Sequence, residues 1–478
     1  MKAKIALAIS LTAVQVGCAQ AQEGREHRPT RSANPQTLEQ VAKPTKAELE
    51  MRKRLDAEFD KAESEGCTWK DRFARCKRVR VGFQPAPPKD SSAGQRILVL
   101  DAQFLTPALL TRHKSKILDL LVMENGGDYR RSSAAFNLTE LQVKLTDIVS
   151  SSDAPIRAEA LGEVGETIGA LSIMAATNDS SESTGTNHGE IVFETLAKYV
   201  SKAQFLIAPF PVITPELYCR LGDQAGRDEM RGLYLQALTS LLPRVRDLGI
   251  THANISWAST DATVKEKFKA MCGHWPEGRE VDGLLDLVVA QTLFVRNLAK
   301  KAGLLVVQSA PNTYADYDFD PKWEGTAWSC FKDSSVLSVG YLGFMNSGIP
   351  GGGYDIDEKW IPYQQKSSSA CTDVFVNGGI HEVRASQGGE NYADGYKIWW
   401  DENSFVEHYF SFISKPAKEL SNSWLTPVAL SMAIHLEQEE IRRGGQRPSP
   451  AESARKLKGR MFDPLANRQT ELHKALNQ

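Results

Sequence analysis

The chain has 478 residues, 41% of them hydrophobic and 24% charged, which is enough to bury one large core with additions. Its 57 Lys and Arg stand against 59 Asp and Glu, for a formal net charge of -2. That balance excludes an electrostatic case for nucleic acid, which needs a basic surface to gather phosphates.

Met1 to Ala21 has the pattern of a secretory leader: Lys2 and Lys4, an apolar run from Ile5 to Gly17, then Ala19-Gln20-Ala21 as a small-residue cleavage site. The run is too short to span a bilayer, and no later stretch is long and apolar enough to do so. Cys18 offers a lipid attachment site as the alternative, but Gln15 stands where lipoprotein leaders carry leucine. An exported product, periplasmic or secreted, is therefore expected. The cysteines beyond the leader are Cys67, Cys76, Cys219, Cys272, Cys330 and Cys371, an even set that argues for disulfides in an oxidising compartment. Cys67 with Cys76 is the best local pair. No C-x-x-C occurs, so zinc ribbons and thioredoxin-like redox chemistry have little support.

Residues 22–94 read as an N-terminal extension or pro-segment with a linker. Gln22 to Pro44 is polar without apolar periodicity and is expected to be disordered. Thr45 and Glu48 then form a capping box, with Met51, Leu55, Phe59 and Ala62 on one helical face. Pro85 to Gly94 is a linker by composition.

The main domain is expected over 95–436. Arg96 to Leu100 is an apolar run of strand type that ends on Asp101, and Leu109 to Met123 reads as a helix. A further helix falls near Glu140 to Val149. The polar loop from Asn178 to Asn187 leads into a helix that opens on His188, followed by a strand at Phe205 to Ala208. A helix through Met230 to Leu242, disturbed by Pro243, precedes a strand at Ala253 to Trp257. Another, from Leu285 to Ala299, is closed by Lys300, Lys301 and Gly303, as basic residues and glycine close helices. Leu304 to Val307 follows as a strand, with Asn312 just past it. Val336 to Val339 and Val374 to Val376 are the remaining strands, and the glycine-rich Gly351-Gly352-Gly353 loop between them lacks the G-K-S/T of a phosphate-binding loop. Strands alternating with long helices imply an α/β fold, a mostly parallel sheet covered on both faces. Ser423 precedes an apolar helix with Pro427 near its start, and 437–478 reads as a charged, solvated tail.

Ser423 read alone is a helix N-cap, and His188 alone a helix-start residue. Taken with Asp101 and Asn312 they form a set. Asp, His and Ser in that order of sequence is one of the orders known for serine hydrolases. The local sequences agree with it: I-L-V-L-D at Asp101, N-H-G-E-I-V-F-E-T-L-A at His188, N-I-S-W-A-S at Ser256, Q-S-A-P-N at Asn312 and S-N-S-W-L-T-P-V-A at Ser423. In these stretches the chain resembles a divergent subtilisin-like serine peptidase (subtilase) from roughly Arg96 to His435. The resemblance implies a three-layer domain and a serine endopeptidase acting on protein or peptide. It implies a triad of Asp101, His188 and Ser423, an oxyanion donor in Asn312, and a substrate cleft edged by Ser256, Trp257 and Ala258. It requires no cofactor for catalysis. Asp316, Asp318 and Asp320 form an acidic loop that reads as a solvated turn or, since subtilases often bind calcium, as a structural calcium site.

Four places depart from the family's motifs: Ser421-Asn422 before the serine, Pro311 before Asn312, Glu190 and Phe193 beside the histidine, and Ala102-Gln103 after the aspartate. They keep open a second reading, a catalytically silent subtilase fold that binds protein or peptide. A lipase or esterase is disfavoured because Ser423 lacks the G-x-S-x-G context. His381-Glu382 begins a zinc-protease motif that Ala385 leaves incomplete.

Overall fold

The computed structural model describes residues 45–67, 75–82, 95–101, 113–124, 126–132, 135–150, 188–259, 261–310, 333–346, 361–362, 372–383, 396–399 and 422–460. The leader, the 22–44 segment, the 85–94 linker, the 178–187 loop, residues 351–360, Cys330 and Cys371 lie outside them.

Helix α1 (Lys46–Ser64) starts at the capping box: the Thr45 N–H donates to Glu48 Oε2 at 2.7 Å and the Glu48 N–H to Thr45 Oγ1 at 3.2 Å. The Cys67–Cys76 disulfide, with a Cα separation of 4.7 Å, ties the residues just past α1 to those just before β1 (Arg78–Gly82). After β2 (Arg96–Asp101), β3 (Ile117–Met123) and β4 (Tyr129–Arg131), strand β5 (Ala135–Thr139) returns to pair antiparallel with β1, and α2 (Glu140–Ser150) packs on α1. The extension is thus joined to residues 135–150 rather than standing apart.

Then come α3 (His188–Tyr199), β6 (Gln204–Pro209), α4 (Pro215–Cys219), α5 (Gln224–Asp247), β7 (His252–Ile255), α6 (Asp261–Cys272), α7 (Arg279–Ala302) and β8 (Leu305–Ser309). The chain continues with β9 (Val336–Asn346), β10 (Ile361–Pro362), β11 (Val374–Val383), β12 (Tyr396–Trp399), α8 (Asn422–Arg442) and α9 (Pro450–Arg460). The large sheet has the order β12-β11-β9-β8-β7-β2-β6-β3-β4, with β10 paired to β9. Its interior pairs are all parallel, and β4, β10 and β12 add antiparallel pairs.

Alternation along each strand feeds two separate cores. Ile97 and Val99 of β2, with Phe205 and Ile207 of β6, face α3, α8 and α9. Leu98 and Leu100, with Leu206 and Ala208, face α5 and α7. Both faces of the sheet are therefore dry, as parallel sheets require, and the α/β architecture is the one the alternating pattern implied. Helix α7 buries Leu284, Leu287, Val288, Gln291, Val295 and Leu298 at helical spacing and ends on Gly303 in the left-handed region, φ 68°. Among the described residues no helix is long and apolar enough to cross a membrane.

One local expectation is corrected, and two helices extend beyond what the pattern gave. Residues 117–123, read as the end of a helix, are strand β3. The stretch Ile-Leu-Asp-Leu-Leu-Val-Met is apolar on all sides, so periodicity could not separate a buried strand from a buried helix. Its Asp119 is fully buried, held by Arg131 at 2.9 Å and Arg244 at 2.7 Å. Pro243, read as disturbing its helix, lies inside it: α5 runs on to Asp247, with buried Leu241, Leu242 and Val245 set against the roughly 3 kcal/mol that an interior proline costs. Helix α6 was not foreseen: among its described side chains Val264 and Phe268 are the buried apolar ones, and the Cys219–Cys272 disulfide ties it to α4.

The boundary expected at 436 falls inside α8, and residues 437–460, the described part of the segment read as solvated, pack against the domain. Ala454 and Leu457 of α9 are buried, and Glu437, 3% exposed, accepts from His252 Nε2 at 3.0 Å and from Ser453 Oγ at 2.6 Å. Burial would raise the Glu437 pKa, but the bonds from His252 and Ser453 and the Arg447 charge hold it below its ordinary 4.5. A carboxylate with a depressed folded-state pKa stabilises above the unfolded value and loses that contribution as pH falls through the folded one. Glu437→Gln should therefore cost about 1–3 kcal/mol in urea unfolding at pH 7, with the gap to wild type closing below pH 4.5. An unchanged midpoint at pH 7 would show that the cluster contributes nothing.

Candidate active site

In a parallel sheet the C-terminal ends of the strands share one edge, where side chains from neighbouring strands and loops converge. β2 lies at the middle of the sheet and ends on Asp101, whose side chain is 4% exposed. Its neighbours are in register there: Pro209 of β6 opposite Asp101, and Ile255 of β7 opposite Leu100. The Phe210 N–H donates to the Asp101 carbonyl at 2.7 Å, fixing the end of the strand.

His188 is the first residue of α3, and its Nδ1 lies 2.9 Å from each Asp101 carboxylate oxygen. Because a carboxylate only accepts, Nδ1 carries the proton. In the neutral ring Nε2 is then the acceptor, and it sits 2.8 Å from Ser423 Oγ. Ser423, 4% exposed, is the second residue of α8 and not its cap, since the helix begins at Asn422. Pro427 accordingly lies one turn deeper than expected. The Ser423 N–H belongs to the first turn, where amide N–H groups point out along the positive end of the helix dipole.

The registry between histidine and serine comes from helix packing. α3 and α8 lie side by side in the same sense: their first turns meet at His188 and Ser423, and the end of α3 meets α8 two turns before its end, where His435 Nε2 donates to the Tyr199 carbonyl at 2.9 Å. Asn422, 1% exposed, donates from Nδ2 to the Ala310 carbonyl at 3.1 Å and ties the start of α8 to the end of β8. Thr426 Oγ1 donates back to the Asn422 carbonyl at 3.1 Å. Asn422 is a site residue that the sequence did not single out as functional; its adjacency to Ser423 was the available signal.

Asp101, His188 and Ser423 are thus brought together. Ser256 is buried and accepts from Asn254 Nδ2 at 2.9 Å, while Trp257 stacks on Phe210 at 5.9 Å between centroids. Trp257 and Ala258, with Ser259, line a cavity of about 220 Å³. Asn312 and the aspartates at 316, 318 and 320 lie outside the described residues. Among the described residues no cluster of His, Cys, Asp and Glu is arranged to hold a metal. Phe193, one of the residues that replaces a small one beside the histidine, is fully buried, with edge contacts to His113 at 5.2 Å and Phe205 at 4.9 Å.

Burial alone would lower the His188 pKa, but the Asp101 charge and hydrogen bond outweigh it and raise the imidazole above its ordinary 6.5. The ring proton signals of His188 in NMR should therefore titrate above pH 6.5. In Asp101→Asn, burial acts without the counter-charge, and the midpoint should drop below that value. Wild-type titration at or below pH 6.5 would contradict the electrostatic account.

No protein-family model matches the chain, and no curated protein matches it. Solved structures similar to it include the protease domain of PatA, at 14% identity, covering 81% of this chain and 98% of that one with a TM-score of 0.31. A lanthipeptide protease is similar at 14% identity, over 76% of this chain and 78% of that one, with a TM-score of 0.32. Pseudomonas sedolisin, a serine-carboxyl proteinase, is similar at 11% identity over 77% and 82%, with a TM-score of 0.32.

Proposed function

We propose that the chain is an exported serine endopeptidase of the subtilisin-like kind, acting on protein or peptide through Asp101, His188 and Ser423. The observation that carries the reading is the unbroken hydrogen-bond chain from a buried carboxylate through one imidazole to one serine hydroxyl, at 2.9 and 2.8 Å.

A serine hydroxyl is a weak nucleophile at its own pKa. In this scheme Ser423 Oγ attacks the scissile carbonyl carbon while His188 Nε2 takes its proton. Asp101 holds the imidazole in the required tautomer and stabilises the cation that forms. The same proton passes to the leaving amine as the tetrahedral intermediate collapses to an acyl-enzyme. Water, deprotonated by His188, then releases the acid. The developing oxyanion would be met by the Ser423 N–H and the Asn312 side chain, each such donor contributing about 100- to 1000-fold in turnover. Ser256, Trp257 and Ala258 would edge the substrate cleft. No step calls for a cofactor. A structural calcium at Asp316, Asp318 and Asp320 is a separate proposal, judged by whether chelation lowers the melting temperature. The leader pattern and the two disulfides support export to the periplasm or beyond.

The test is labelling by a fluorophosphonate with mapping of the modified residue, beside hydrolysis of casein. Label should appear on Ser423, vanish in Ser423→Ala and fall by about four orders of magnitude or more in rate in His188→Ala. Casein should be cut by wild type only, with kcat/KM falling as pH drops through the raised His188 pKa. Folded wild type with residues up to Gly94 removed that still takes no label would return the chain to the silent, peptide-binding reading.

A further inference from the structure

The cavity beside Trp257 is built by elements far apart in sequence: α4, α5, α6, α7 and the turn after β7. Tyr218, Tyr234 and Trp257 give it aromatic walls, aliphatic side chains such as Leu287 fill in between, and Lys267, Gln291, Ser259 and Thr263 add polar groups. Lys267 of α6 is half-buried, with Nζ 5.6 Å from the Tyr218 ring centre and 5.9 Å from that of Trp257. It has no ion pair among the described residues, and burial holds its pKa below the ordinary 10.5 with no acidic neighbour acting against that. Among the described residues Trp257 Nε1 is a buried donor with no acceptor. Gln291, 6% exposed, donates from Nε2 to the Tyr234 hydroxyl at 3.1 Å, and its buried Oε1 has no donor among the described residues.

Tyr218 and Tyr234 are already committed elsewhere, donating to the Val264 and Pro211 carbonyls, each at 3.1 Å. Among the described residues the buried side-chain groups of the lining without a hydrogen-bond partner are thus the Trp257 indole N–H and the Gln291 amide oxygen, and Lys267 is a cation without an ion pair. A buried ammonium gains most from a counter-charge, because an unpaired charge is the costliest group to hold away from water. Trp257 also connects this cavity to the reacting end of the sheet: it stacks on Phe210, whose N–H holds the Asp101 carbonyl.

We propose that this cavity receives an acidic side chain, glutamate or aspartate, of the peptide being cleaved, with Lys267 as the residue that selects it. The inference rests on the peptidase reading above. The carboxylate accepts from Lys267 Nζ and Trp257 Nε1. Turning the Gln291 amide by a half-rotation presents Nε2 as a third donor, and Oε1 then accepts the Tyr234 hydroxyl proton in place of the Pro211 carbonyl. A glutamine side chain fits the same space but brings no charge to Lys267. A tyrosine fills the aromatic walls yet leaves the ammonium desolvated and unpaired.

The experiment uses octapeptides around a mapped casein cleavage site, each position replaced in turn by Glu, Gln or Tyr. At one position wild type should favour Glu over Gln by about tenfold or more in kcat/KM. The ratio should fall to near one in Lys267→Met and return in Lys267→Arg. Preference for Gln or Tyr at every position, or a Glu preference that survives Lys267→Met in protein with an unchanged melting temperature, overturns the proposal. A parallel arm offers the full-length Ser423→Ala protein an equimolar pool of Glu, Gln and Tyr octapeptides and measures what is retained. Enrichment of the Glu peptides that needs Lys267 supports the pocket even where wild type cleaves nothing, in which case the peptidase reading alone fails. No enrichment there, beside cleavage without Glu preference, sinks the pocket and leaves the peptidase standing.

Discussion

The burial of the Asp101 carboxylate at the end of the central strand is the constraint on which the site depends. A carboxylate withdrawn from water is tolerated only when hydrogen-bonded and opposed by positive charge or a strong donor. Here the donor is His188 Nδ1, at 2.9 Å. That one contact fixes the tautomer, so Nε2 is left as an acceptor aimed at Ser423. It also dictates where α3 must begin, because only a residue in the first turn of that helix reaches the end of β2. The order of hydrogen bonds from Asp101 to Ser423 thus follows from where a charge was buried.

The rest of the molecule keeps this geometry still. β2 has a strand on each side and a dry core on each face, so its end cannot drift without disturbing both cores. α8 is held to α3 by the His435 to Tyr199 bond and to β8 by Asn422. At the other end, α9 braces α8 through Ser453 and Glu437, and Glu437 in turn accepts from His252 at the start of β7. Three strands and three helices are therefore connected through polar contacts that leave the apolar layers uninterrupted.

What could be read from the sequence divides along physical lines. Asp101, His188 and Ser423 were legible because each sits at a boundary marked by local chemistry: a strand ending in a carboxylate, a loop turning into a helix, a polar run turning apolar. β2, β6 and β8 were legible from short apolar runs between long amphipathic helices. β3 was not, since uniform burial erases periodicity. The packed C-terminal segment was hidden by its charge, because Glu437 and Ser453 look solvated until the partner on β7 is known. Of the cavity only the Trp257-Ala258 edge was legible: Tyr218, Tyr234, Lys267 and Gln291 lie on four helices, and only the fold brings them round Trp257.

The altered neighbours of the three residues bear on how far a motif can diverge while its geometry survives. Phe193 would be intrusive if its ring turned toward the imidazole. It lies instead in the core formed by α3 and the sheet, in edge contact with Phe205, where its bulk adds to burial. Asn422 gives up the compactness of a smaller residue, yet its amide grips the Ala310 carbonyl and ties the helix that carries Ser423 to the end of β8. In both cases the larger side chain has been absorbed by the supporting structure, away from the line between Asp101 and Ser423. Sequence divergence around a triad measures how the support is packed, and the hydrogen-bond distances along that line measure whether the chemistry is still assembled.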